Sequence, residues 1–186
     1  MSDRSTSSRT PCRRRGSVAV VGVGNPLMGD DGVGIAVIRE LARERLPSHV
    51  ELFDAGTALL DILPEVEHCE RVILVDCCRA GGKPGTLYKS PIRLDRCQTA
   101  PPGFSLHDLN VVDALQLHRI GGGKLNEVTL IGIEPEEVAL RDGLSVAVRK
   151  CLPAIVAAVR RECEIPADNP PEKTTPAVSG RGRTVV

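Results

Sequence analysis

Three side chains able to bind a cation or move a proton stand where apolar runs give way to turns: Asp31, Asp76 and His107. Asp31 is the second of two adjacent carboxylates in Gly22–Gly34 (GVGNPLMGDDGVG), a glycine-rich loop that follows the valine-rich run Val18–Val23. Asp76 comes directly after Val72–Val75 (VILV), where a carboxylate is costly unless it is paired, hydrogen-bonded or metal-bound. His107 lies in SLHD (105–108), behind the Pro101-Pro102-Gly103 loop. In open α/β sheets, sites form beyond the C-terminal ends of strands, and all three residues meet that rule. Two carboxylates and an imidazole suit a borderline divalent ion such as nickel, iron, zinc or manganese, and spacing alone does not choose among them. Each residue also has a plainer reading. Asp30 fits a helix N-cap, with acidic residues favoured in the first turn. Asp76 could cap the loop that follows it, and His107 could sit on the surface at a helix start. Asp108 could cap that helix or orient the His107 ring.

Other chemistries fit less well. Gly22 and Gly24 begin a dinucleotide fingerprint, but Leu27 stands where its third glycine belongs. Asp30 and Asp31 would also repel a pyrophosphate from the helix start. Neither G-x-S-x-G nor H-E-x-x-H occurs. A Cys77 or Cys78 nucleophile working with His107 has only Arg79 as a basic neighbour. The seven cysteines are odd in number and include no CxxC pair, which argues against a disulfide framework and a structural zinc site. Most read as small buried hydrophobes, and Cys12 as an exposed thiol. His118, beside Gly121–Gly123, reads as a helix C-terminal interaction. His49 and His68 lie in polar connections and read as solvated.

The elements that must hold these residues alternate between strand and helix. Strands are expected at 18–23, 50–53 (ended by Asp54-Ala55-Gly56-Thr57), 72–75 and 128–133, with a short edge strand at 85–89. Helices are expected at 31–45, at 58–67 (broken or kinked by Pro64), at 108–118, and at 144–162 with a bend at Pro153. This order predicts a single α/β domain, 17–164, whose twisted, mostly parallel sheet is flanked by helices on both faces. Residues 1–16 and 165–186, polar and without periodicity, read as disordered extensions.

Composition narrows the function classes. The chain has 186 residues, zero formal net charge and three aromatic residues (Phe53, Tyr88, Phe104). Nucleic-acid binding therefore has neither a basic field nor stacking platforms to draw on. No apolar run reaches the ~18 residues of a membrane span, and the basic N-terminus lacks a signal-peptide core. The expectation is a cytoplasmic protein.

The runs GVGNPLMGDDGVG (22–34), DAGT (54–57), VILVDC (72–77), SLHD (105–108) and VTLIGIEPEEVALRDGLS (128–145) resemble, in order and spacing, the nickel-iron hydrogenase maturation endopeptidases. The resemblance spans about residues 17–163. It implies a phosphorylase/hydrolase-like α/β fold and a cytoplasmic, aspartic-type or metal-assisted protease. Such an enzyme removes a C-terminal extension from the hydrogenase large-subunit precursor after nickel insertion. Carried over by motif, Asp31, Asp76 and His107 contact the nickel, which the precursor supplies, and serve as the catalytic set. Many relatives have Glu where Asp31 stands. Asp54, Gly56 and Thr57 then help to position the precursor, and the free protein is expected to be a monomer. A non-catalytic docking chaperone with the same three nickel ligands is the alternative.

Overall fold

In the computed structural model, the valine-rich run Val18–Val23 forms β1, and Arg71–Cys77 forms β3, with every residue of both strands buried. Continuous apolar runs of this kind suit central parallel strands that are covered on both faces. The structure describes residues 16–92 and 111–164, so the two predicted terminal extensions lie largely outside the described residues. Three further strands, β2 (Val50–Gly56), β4 (Leu87–Ile92) and β5 (Glu127–Ile133), complete a sheet of order β2-β1-β3-β5-β4. All neighbours are parallel except β4, which runs antiparallel to β5 at one edge. Its Pro91 is tolerated because an edge strand can spare a donor.

Among the described residues, four helices cover the sheet. On one face, α1 (Val33–Leu41) and α4 (Val146–Glu164) pack Val37, Leu41, Val148 and Val159 against Val18, Val20, Ile73 and Val75. On the other, α2 (Leu59–Ile62) and α3 (Val111–Ile120) pack Leu59, Val111 and Leu115 against Ala19, Val21, Val72 and Leu74. The alternation of side chains along β1 and β3 divides the two cores. The predicted single α/β domain with helices on both faces is the observed architecture. No described helix is long and apolar enough to cross a membrane.

Several boundaries differ from expectation for identifiable reasons. Strand β2 does not end at Phe53 but continues through Asp54 to Gly56. Its pairing with β1 persists as Gly22↔Asp54 and Val23↔Gly56 across an irregularity in register. The expected helix 31–45 is instead a 3-10 turn, Gly29–Gly32, followed by α1. At Pro64, which cannot donate an amide hydrogen bond, α2 gives way to a 3-10 turn, Leu63–Val66. Helix α4 runs on through Pro153, and Ser145 caps it by accepting a hydrogen bond from the Val148 N–H at 3.2 Å.

A buried ion network closes the N-terminal end of the sheet. Arg71, at the start of β3, donates to the Glu162 carbonyl at 3.1 Å and pairs with its Oε1 at 2.9 Å. Its Nε lies 3.3 Å from Glu127 Oε2, while Lys89 Nζ holds the other Glu162 oxygen at 2.6 Å. The Arg71 and Glu162 side chains are 7% and 8% exposed, so removing one charge takes from the other its buried partner and leaves it only the half-exposed ones. Glu162→Ala should lower unfolding stability by about 3–5 kcal/mol in urea titrations, whereas Arg71→Met combined with Glu162→Leu recovers most of that loss.

Candidate active site

The first turn after β1 is fixed by how closely α1 approaches the sheet. A Cβ on Gly34 would lie 2.3 Å from the carbonyl oxygens of both Val23 and Val75. One on Gly22 would meet the Gly34 carbonyl oxygen at 2.6 Å. These glycines bring helix and sheet backbones into contact, which a larger residue would prevent. Gly24 adopts φ +124°, and its open side is filled by the Asp31 carbonyl. The 3-10 turn carrying Asp30 and Asp31 is thereby seated over the C-terminal ends of β1 and β3. Strand order reverses between these two strands, β1 leading outward to β2 and β3 toward β5. Ligand sites of open α/β sheets form at such a switch point.

Asp30 is fully buried and does not cap the helix, contrary to the sequence-based expectation, because no side chain caps this turn. Its carboxylate instead accepts three backbone N–H bonds from a distant segment: Glu136 at 2.8 Å, Glu137 at 3.1 Å and Ser145 at 2.7 Å. Backbone bonds from Asp30 N to Glu137 O and from Gly29 N to Arg141 O reinforce the junction. Residues 136–145 are thus clamped onto the turn. Asp31, 1% exposed, accepts the Asn25 N–H at 2.6 Å. Asp76, 2% exposed, accepts the Cys77 N–H at 2.8 Å. All three carboxylates act on one point: burial, then the charges of Asp76, Asp31 and Asp30, push the Cys77 thiol far above its usual range. Burial also raises Cys78, to about 11, with Glu134 and Asp76 adding to the shift. Neither cysteine is an activated nucleophile.

Asp54 and Thr57 are exposed at the adjoining end of β2, and Asp54 accepts the Gly56 N–H at 3.1 Å. The Gly56 carbonyl receives Gly24 N at 2.8 Å, tying this corner to the glycine-rich loop. His107 and Asp108 lie outside the described residues. Two other histidines differ from expectation. His118 Nε2 lies 2.9 Å from Glu67 Oε1, off hydrogen-bond geometry, so a carboxylate stands beside it, while its ring also packs against Gly123 just beyond its own helix. His68 is not freely solvated, since both its ring nitrogens are engaged.

Glu134, read from sequence only as part of a strand stop, organises the loop beyond Asp76. It accepts the N–H groups of Ala80 at 2.8 Å and Gly81 at 3.2 Å, and the Tyr88 hydroxyl at 3.0 Å. Burial pushes its carboxyl up, but hydrogen bonds from Ala80, Gly82, Tyr88 and Gly81 outweigh this and leave it below the ordinary range. The available signal was a glutamate at the end of a buried strand, next to a strand that also ends in a carboxylate.

The fold and these residues define an α/β protein with an acidic site at its sheet switch point. The sequence model of the hydrogenase maturation proteases matches residues 35–162, and the chain belongs to that family. It is 31% identical over 159 residues to the hydrogenase 2 maturation protease of Escherichia coli, covering 81% of this chain and 94% of that protein. It is 33% identical over 122 residues to the hydrogenase expression/formation protein HupD of Rhodobacter capsulatus, of which it spans only 58%. The crystal structure of a hydrogenase 2 maturation peptidase from a Thaumarchaeota archaeon superposes with a TM-score of 0.61 at 33% identity. That match covers 78% of this chain and 97% of the other. The protein is accordingly a protease of the hydrolase class that acts in hydrogenase maturation.

Two substitutions probe this framework. Asp30→Ala leaves three backbone donors without their acceptor and should cost about 3 kcal/mol or more in urea unfolding, with Asp30→Asn retaining part of that. The folded carboxyl of Glu134 titrates below its unfolded value, so its contribution is complete above the unfolded pKa of ~4.3 and is lost as pH falls through the lowered value. Glu134→Gln should therefore flatten the decline in unfolding midpoint below pH ~4.3. An unchanged acid slope would contradict the role assigned to this carboxylate.

Proposed function

We propose that this protease removes the C-terminal extension of a nickel-iron hydrogenase large-subunit precursor after nickel insertion, with Asp31, Asp76 and His107 completing the coordination of the precursor's nickel. One observation carries the reading: two buried carboxylates, Asp31 and Asp76, stand together over the switch point between β1 and β3. Asp76 shares the strand face of Val72 and Leu74, which α3 covers, and the segment bearing His107 joins β4 to α3. Two carboxylates and an imidazole form a donor set suited to a borderline divalent ion.

The nickel belongs to the substrate, and there it acts as a Lewis acid at the scissile carbonyl. A site carboxylate acts as general base and takes a proton from the attacking water. The carbonyl carbon gains that oxygen, the C–N bond breaks, and the proton passes to the departing amine. Asp54, Gly56 and Thr57 position the precursor beside the carboxylates. The exposed Leu27 (61%) and Leu140 (86%) extend the contact surface, their segments joined by the Arg141 N–H to Leu27 carbonyl bond. The described cysteines are all free thiols, which fits action in the cytoplasm, and the free enzyme acts as a monomer.

Purified protein incubated with nickel-loaded precursor should cause a mass loss at the precursor C-terminus. Nickel-free precursor should stay intact. Asp31→Asn, Asp76→Asn and His107→Ala should each slow processing by about 100-fold or more. A stable complex with no mass loss would identify a docking chaperone instead, and normal cleavage by all three variants would remove the proposed site.

A further inference from the structure

A second group of ligating side chains lies at the opposite end of the sheet. Glu51 sits near the start of β2, paired in register with Ala19, while His68 and Cys69 occupy the connection that leads into β3. The Glu51 carboxylate, the His68 imidazole and the Cys69 thiol present one ligand atom each, all within 4.8 Å of one another. His68 Nε2 lies 3.0 Å from Glu51 Oε1 and 3.5 Å from Cys69 Sγ. A tetrahedral zinc ion with bonds of ~2.0–2.3 Å separates its nitrogen and oxygen ligands by about 3.3 Å, and its nitrogen and sulfur ligands by about 3.5 Å. The observed spacings come close to both.

The orientation of the imidazole gives a second, independent observation. His68 Nδ1 lies 2.8 Å from the Glu65 carbonyl oxygen, which can only accept, so Nδ1 carries a hydrogen. This is the outer hydrogen bond that fixes the tautomer of a metal-binding histidine and turns the other nitrogen toward the ion. Nε2 in turn faces both a carboxylate and a sulfur, and the thiol also bonds with Ser17. A metal ion seated among the three groups would bind the carboxylate, the imidazole and the sulfur at once. Cys69 is held rigidly, with its N–H bonded to Val66 O at 3.0 Å and its carbonyl accepting Asn126 Nδ2 at 2.9 Å. Its side chain is buried, whereas Glu51 and His68 are partly exposed, leaving a route for the ion and room for a water as fourth ligand.

We propose that Glu51, His68 and Cys69 form a zinc site that fastens β2 to the connection entering β3, separate from the carboxylates at the other end of the sheet. A mixed oxygen, nitrogen and sulfur set selects zinc over harder cations. The ion binds the folded chain, where the three groups are together, and so stabilises it.

The test is titration of the full-length, metal-free protein with cobalt(II), followed by displacement with zinc. One equivalent of cobalt should give a thiolate-to-metal charge-transfer band in the near ultraviolet, which zinc abolishes, and zinc should raise the melting temperature. Cys69→Ser and His68→Ala should each eliminate the band. Glu51→Gln should weaken zinc binding at least about tenfold. Asp31→Asn combined with Asp76→Asn should leave the band in place, which separates this site from the one at the switch point. Melting curves of the metal-free variants report that each is folded, and the partial exposure of His68 and Glu51 makes theirs the safest readings. Absence of the band at one equivalent overturns the proposal. So does a band that survives Cys69→Ser or His68→Ala, or one lost in the double aspartate variant alone.

Discussion

The contact between α1 and the sheet is the constraint on which the rest of the site depends. Gly22 and Gly34 let two backbones meet where any side chain would force them apart, and a Cβ on Gly34 would collide with two strand carbonyls at once. Because the helix cannot lift away, the turn preceding it must enter directly above the ends of β1 and β3. Two carboxylates are thereby carried into a region from which water is largely excluded. Burial of that kind is tolerated only when hydrogen bonds or ions replace the lost solvation. Much of the surrounding structure supplies those replacements.

Asp30 and Glu134 show how the replacement works. Asp30 satisfies backbone groups of residues 136–145, and Glu134 satisfies those of the loop after Asp76. Each spends its charge on organising a neighbouring segment, so neither is offered to a substrate. Asp31 accepts the Asn25 N–H and Asp76 the Cys77 N–H, both bonds coming from the adjoining turn or strand. Among the bonds of these adjacent aspartates, Asp30 reaches a distant segment and Asp31 the loop just before it. The opposite end of the sheet follows another rule. There Arg71, Glu162, Lys89 and Glu127 neutralise one another, and the network serves stability.

Much of this was legible in the residues. The continuous valine and isoleucine runs marked β1 and β3 as central strands, and their termini located Asp31 and Asp76. Pro64 marked the end of α2. What escaped was anything set by partners distant in sequence. Asp30 looked like a helix cap because its bonded partners lie more than 100 residues away. Strand β2 outran its predicted end because pairing with β1, and not local propensity, decided where it stopped. His68 looked solvated because Glu51 is 17 positions earlier, and no spacing pattern links the two.

Local sequence alone therefore determined which segments become strands or helices and which carboxylates sit at their ends. Those features follow from side-chain periodicity, proline's missing donor and glycine's missing Cβ, all of which act over a few residues. Tertiary structure decided what each charged group does. Whether a carboxylate caps its own helix or clamps another segment depends on which backbone donors are folded against it, and for Asp30 and Glu134 those donors come from remote parts of the chain. The bonds that Asp30 makes, the clamp made by Glu134, and the meeting of Glu51 with His68 and Cys69 exist only once the sheet has brought remote segments together at each of its ends.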